Sequence, residues 1–154
     1  MILVAVDFSP PSAEALLWGA RAAEAFGDGI TILHVVHDPE AAPGYYRAKK
    51  HNKHVRRLEN AASDMLDEFV DGLVAAHPEL TALGTAERTL VVGIPVSRIL
   101  EVAESTDARL LVVGSNGRTG LSHLMLGSKA ERVAQLSPIP VTIVKSSRFA
   151  EQTA

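Results

Sequence analysis

Apolar residues along the chain alternate between two spacings. Short, nearly continuous runs rich in Val and Ile occupy Ile2 to Val6, Ile30 to Val36, Leu110 to Val113 and Val141 to Val144, with a weaker, charge-interrupted run from Ala86 to Val92. A strand apolar at every position is buried on both faces, as in a parallel sheet. Between the runs the period changes to three and four. Ala13, Leu16, Leu17, Ala20 and Ala23 share one helical face, and Val55, Leu58, Ala62, Met65 and Phe69 mark a second helix. Ile99, Leu100 and Ala103 mark a third, opened by Pro95, and Ala130, Val133, Ala134 and Leu136 mark a fourth. This order predicts a single-domain, Rossmann-like α/β fold: an open five-stranded parallel sheet with right-handed crossovers and helices on both faces.

The chain has no internal repeat, low-complexity tract or linker, so residues 1–146 are expected to form one domain and 147–154 a flexible tail. One long irregular stretch, His37 to Asn52, carries the turn signals Asp38-Pro39 and Pro43-Gly44 and reads as a flap over a ligand or as a plain surface loop.

Composition removes several function classes. A formal net charge of -3 argues against general affinity for nucleic acid, which needs a strongly basic face. The absence of cysteine excludes disulfides, thiolate metal sites and a cysteine nucleophile. The apolar start, Ile2 to Val6, lacks a basic flank and is too short for an export signal, and no run reaches membrane-spanning length. A cytoplasmic protein is expected.

The chemistry concentrates after the fourth strand, in the loop from Gly114 to Ser128. Glycines at a strand end let backbone N–H groups approach a bound group closely. Gly127-Ser128 opens a helix whose free N–H groups and dipole favour an anion, and Arg118 can add a charge-assisted contact. A bland alternative stands beside this. Ser128 and Glu131 have capping-box spacing, and Gly114 and Gly117 could serve turns alone. The order Gly127-Ser128-Lys129 is not that of a P-loop, and the first strand leads into Asp7-Phe8-Ser9-Pro10-Pro11-Ser12, which has no dinucleotide fingerprint. With strand order 3-2-1-4-5, strands one and four are neighbours at the switch point, where open α/β sheets bind ligands. Asp7 ends one of these strands and Gly114 the other, so two separate features meet in one place.

These residues resemble the universal stress protein family, in its ATP-binding branch. The likeness covers nearly the whole chain. It rests on Ile2 to Ser9, Leu33-His34-Val35, Gly93-Ile94-Pro95, Val112 to Gly120, Gly127-Ser128, Ala130 to Val133 and Pro138 to Val141. Gly114, Gly117, Gly127 and Ser128 fill the family's spacing of Gly, two residues, Gly, nine residues, Gly, Ser/Thr. The resemblance implies that Val6, Asp7 and Ser9 face the adenosine and that Val35 or Val36 lines the adenine pocket. Gly114, Ser115, Asn116, Gly117 and Arg118 would cradle ribose and phosphates, Gly127 and Ser128 would bind the terminal phosphates, and Val141 joins the binding set. ATP is the implied ligand, with AMP or ADP as variants and Mg²⁺ arriving with the nucleotide. The family also implies homodimers through the last strand, about Pro140 to Val144, which suits an apolar edge strand. Phe8 stands where a Gly is frequent, and Asn116 where many members carry His.

Other features carry less. Arg47, Lys49, Lys50, Lys53, Arg56 and Arg57, with His51 and His54, form a basic stretch that reads as a solvated surface, with phosphate, an acidic partner or nucleic acid as alternatives. His34 reads as a hydrogen-bonded core residue, His123 as a possible phosphate neighbour, and Trp18 as helix packing. No catalytic constellation accompanies the loop, so a nucleotide-dependent regulator is the leading reading. A slow ATPase or phosphotransferase, with Asp7 its one placed acid, is the alternative.

Overall fold

The computed structural model describes residues 1–37, 52–116 and 126–145, without the side chains of 52–54. Five strands, β1 (Ile2–Val6), β2 (Ile30–His37), β3 (Glu87–Gly93), β4 (Leu110–Gly114) and β5 (Val141–Val144), form one sheet in the order β3-β2-β1-β4-β5. All four pairings are parallel, and β1 lies between β2 and β4. The helices are α1 (Pro10–Phe26), α2 (Asn52–Ala76), α3 (Thr81–Gly84), α4 (Pro95–Ser105) and α5 (Ser128–Leu136). The expected fold and strand order are both present. The short helix α3 was not legible, because four residues cannot display a helical period.

The continuous apolar strands have the anticipated cause. Ile2, Val4 and Val6 of β1 pack with Ile30, Ile32 and Val112 beneath buried residues of α1, α2 and α3. Leu3, Leu33, Leu111 and Val113 point the other way, against Ile99, Val102, Ala130 and Val133 of α4 and α5. Each fully buried Leu or Ile contributes about 2 kcal/mol relative to exposure. Among the described residues no helix is long and apolar enough to cross a membrane.

Helix α1 starts where Pro10 and Pro11 suit the first turn, with Ser9 as its N-cap. Arg88 on β3 ties α2 to the sheet through Asp67 at 2.7 Å and Asp71 at 2.6 Å. Burial lowers the pKa of this guanidinium, but the two carboxylate hydrogen bonds outweigh it and leave it raised. Trp18 was expected to pack, yet it is 37% exposed.

Candidate functional site

Strand pairing between β1 and β4 stops at Ala5 and Val113, and the chain then leaves the sheet at the carboxyl ends of both strands, the switch point where open α/β sheets bind ligands. On the β1 side the wall is a tight turn. Asp7 Oδ1 accepts hydrogen bonds from the Ser9 N–H at 3.1 Å and from the Ser9 hydroxyl. The Asp7 N–H donates to Ser12 Oγ at 3.3 Å, and Ser12 Oγ donates to the Ser9 carbonyl at 2.9 Å. Phe8 sits at the apex with φ 65°, the left-handed region that disfavours a side chain. Its ring stacks on His34 at 4.3 Å between centroids and meets Phe69 edge-on at 5.5 Å. His34 in turn places Nδ1 2.8 Å from the Val6 carbonyl, so Nδ1 carries the donated proton.

On the β4 side, the backbone conformation of Gly114 is ordinary but its surroundings are crowded. A Cβ there would lie 2.8 Å from the Pro11 carbonyl carbon and 3.0 Å from the Ser12 nitrogen. This glycine lets β4 touch the first turn of α1, bringing the two walls together. Ser115 follows, 6% exposed, and spends its backbone inside the protein: its N–H donates to Val144 at 2.8 Å and its carbonyl accepts from Gly127 at 2.8 Å. The loop therefore leaves at Ser115 and returns at Gly127 through one hydrogen bond. A Cβ on Gly127 would sit 3.1 Å from the Ser115 carbonyl oxygen and 3.3 Å from Asn116 Cα.

The capping-box reading of Ser128 does not hold. Gly127 is the N-cap of α5, with φ -64° and ψ 140°, and no side chain caps it. Ser128 is the first helical residue, which puts Glu131 one position past the box's acidic partner. Residues 128 to 130 open α5 ahead of the first intrahelical bond, from the Glu131 N–H to the Gly127 carbonyl at 2.9 Å.

The fold thus gathers Val6, Asp7, Ser9, Gly114, Ser115, Asn116, Gly127 and Ser128 at one end of the sheet. Val35 and Val36 lie near the end of the adjoining β2. Val36 shares the face of Ile30 and Ile32, while Val35 packs toward α4 and α5, so the two present to opposite sides. Val141 is not gathered with them. It starts β5 opposite Leu111, three residues and about 10 Å from the Gly114 end. Gly117, Arg118 and His123 lie outside the described residues, as do Arg47, Lys49, Lys50 and His51 of the basic stretch, most of the flap and the tail from residue 146. Sequence reasoning missed the Phe8–His34–Phe69 cluster beneath the turn. Its one signal was Phe8 at a position where the related pattern favours glycine.

An open cavity of about 540 Å³ lies at the opposite pole, lined by Met1, Asp28, Thr31, Thr85, Glu87 and Thr106 among others. It lies at the amino ends of β1, β2 and β3, away from the switch point. The strand ends and the exposed first turn of α5 carry the chemical argument.

Comparison with known proteins agrees with this geometry. A model of the universal stress protein family matches residues 1–145. Universal stress protein YxiE of Bacillus subtilis is 32% identical over 94% of this chain and 97% of its own length. Universal stress protein MJ0577 of Methanocaldococcus jannaschii is 30% identical over 94% and 93%. Among solved structures, UspA from Lactobacillus plantarum shares the fold, with TM-score 0.74 at 22% identity over 93% and 95% of the two chains. A universal stress protein in complex with cAMP aligns with TM-score 0.57 at 26% identity over 95% and 96%. One from Archaeoglobus fulgidus in complex with dAMP aligns with TM-score 0.63 at 25% identity over 94% and 96%. A family match over almost the whole length, joined to the switch-point geometry, leads to one conclusion: the chain belongs to the universal stress protein family.

Proposed function

We propose that this protein binds an adenine nucleotide, ATP first, in the crevice between β1 and β4 and acts as a nucleotide-dependent regulator. The observation that carries the reading is the meeting of the Asp7 turn with the Gly114 and Gly127 ends of the loop at the switch point, beside the uncapped start of α5. Related structures contain cAMP and dAMP, which supports an adenine nucleotide. In this proposal the N–H groups of residues 128 to 130 and the Ser128 hydroxyl take the terminal phosphates. Gly117 and Arg118 complete the cradle from the loop. The N–H groups of Ser115 and Gly127 are already spent on protein carbonyls, so these residues shape the site without donating their backbone.

Among the described residues no group of three or more His, Asp or Glu side chains could hold a metal ion, so Mg²⁺ in this reading travels on the nucleotide's own phosphates. Asp7 Oδ1 is engaged by Ser9, a turn-building role that weakens the hydrolase alternative. We further propose a homodimer through β5, the sheet edge beyond β4. The carbonyls of Pro140 and Val144 accept from Leu111 and Ser115 on the β4 side. By alternation, the N–H and C=O groups of Val141 and Ile143 face the free edge.

Calorimetry with ATP, ADP, AMP and cAMP, with and without Mg²⁺, tests the ligand. Saturable binding of at least one, sharply weakened in Gly117→Val and Arg118→Ala, is the expected result. Undiminished binding in both variants, or no binding of any adenine nucleotide, would sink the proposal.

A further inference from the structure

The fold uses one side of α2. Ala62, Leu66 and Val70 are buried, and Phe69, Leu73 and Val74 are partly buried against the core. A second apolar stripe is left facing solvent. Leu58 is 43% exposed and Met65 is 42% exposed, with Ala61 exposed between them and Glu68 and Gly72 exposed beyond. Leu58, Ala61 and Met65 step by three and four, the spacing of a helix-to-helix seam, and the charged Glu68 ends it.

Charge along this stripe says what fits it. Arg57 precedes Leu58 and Asp64 precedes Met65, so the two charges flank equivalent apolar positions seven residues apart. Both are exposed. Neither has an opposite charge three or four residues away on its own helix: Arg57 has His54, Lys53, Asn60 and Ala61 there, and Asp64 has Asn60, Ala61, Asp67 and Glu68. Asp67 and Asp71 are already held by Arg88.

We infer that α2 is a self-association surface, whose partner is the α2 of a second copy lying antiparallel across a two-fold axis near Ala61. In that arrangement Leu58 of each copy packs on Met65 of the other, and Arg57 of each meets Asp64 of the other. A parallel, in-register pair would instead set Arg57 beside Arg57 and Asp64 beside Asp64. The seam spans only a few turns, so the contact is weak and adds to other assembly rather than replacing it. It rests neither on nucleotide binding nor on the β5 edge.

The chain has no cysteine, so a single introduced thiol reports the contact. The test is mild oxidation of Ala61→Cys in an Ile143→Pro background, where the β5 edge cannot supply the encounter. Ala61→Cys should form disulfide-linked dimers several-fold faster than Gln135→Cys, an exposed site on α5. Adding Asp64→Arg should slow cross-linking about tenfold, and adding Arg57→Asp to that variant should restore it. Sedimentation over a concentration series gives a readout without thiols, in which Met65→Glu should weaken association. Equal cross-linking at positions 61 and 135, no recovery in the charge-swapped pair, or unchanged sedimentation of Met65→Glu would overturn the inference.

Discussion

Gly127 donates its backbone N–H to the carbonyl of Ser115 at 2.8 Å, pinning together the two ends of the loop that the site depends on. A Cβ on Gly127 would press on that same carbonyl at 3.1 Å, whereas one on Gly114 would strike the Pro11 carbonyl carbon at 2.8 Å. These two motif glycines therefore meet different obstacles.

Gly114→Ala should act on the fold. Pro11 and Ser12 contribute rigid backbone, so the strand or the helix must shift, at about 1–3 kcal/mol. Gly127→Ala keeps a negative φ, and its nearest neighbour, the Ser115 carbonyl oxygen at 3.1 Å, need give only a few tenths of an ångström, so its stability loss should stay under about 1 kcal/mol. Its nucleotide affinity should nevertheless fall. Urea unfolding beside calorimetry separates the two, and equal stability losses would contradict this division.

At Phe8 the usual ranking of glycine and alanine should invert. In a strand or helix Gly is less stable than Ala, but at φ 65° the Cβ is the liability. Both Phe8→Ala and Phe8→Gly lose the stack on His34 and the edge contact with Phe69. Phe8→Gly should then be the more stable of the two by about 1 kcal/mol. Chemical denaturation of the pair decides it; Ala ranking above Gly would refute the strain argument.

Ser9→Ala removes the capping hydroxyl of α1 and its bond to Asp7 Oδ1, while the Ser9 backbone N–H still donates to that carboxylate. The capping loss predicts a destabilisation of about 1 kcal/mol. If Asp7 is held for ligand by Ser9, affinity for nucleotide should fall as well, read by calorimetry at a temperature where the variant stays folded.

Ile143→Pro tests the edge. Its N–H faces away from β4, so proline there removes no bond within the sheet, while it blocks pairing with a second β5. The expected outcome is a folded protein with weakened dimerisation in sedimentation. A dimer of undiminished strength would remove β5 from the assembly.

Arg88→Met should cost about 1 kcal/mol, because it releases two carboxylates that hold α2 to β3 while keeping most of the apolar stem. High salt should shrink the difference from the parent in thermal unfolding.

By itself the sequence determined the layered architecture. Nearly continuous apolar strands must be covered on both faces, and helices of period 3.6 between them supply the cover, so β1, β2, β4 and β5, the weaker charge-interrupted β3 and four of the five described helices were legible. It also marked the loop, since the spacing of Gly114, Gly117, Gly127 and Ser128 resembles the nucleotide motif of the universal stress protein family. Tertiary structure decided what each residue is for. Gly114 is glycine because Pro11, over a hundred residues earlier, lies against it. Ser128 is a helix residue rather than a cap because the Ser115 carbonyl fixes Gly127 one step earlier. Val141 stands apart from the Gly114 strand end because register sets it opposite Leu111, and the Phe8–His34–Phe69 cluster unites the turn after β1 with β2 and α2. Periodicity reports which face a residue presents, but contacts between distant segments are made only when the chain closes on itself.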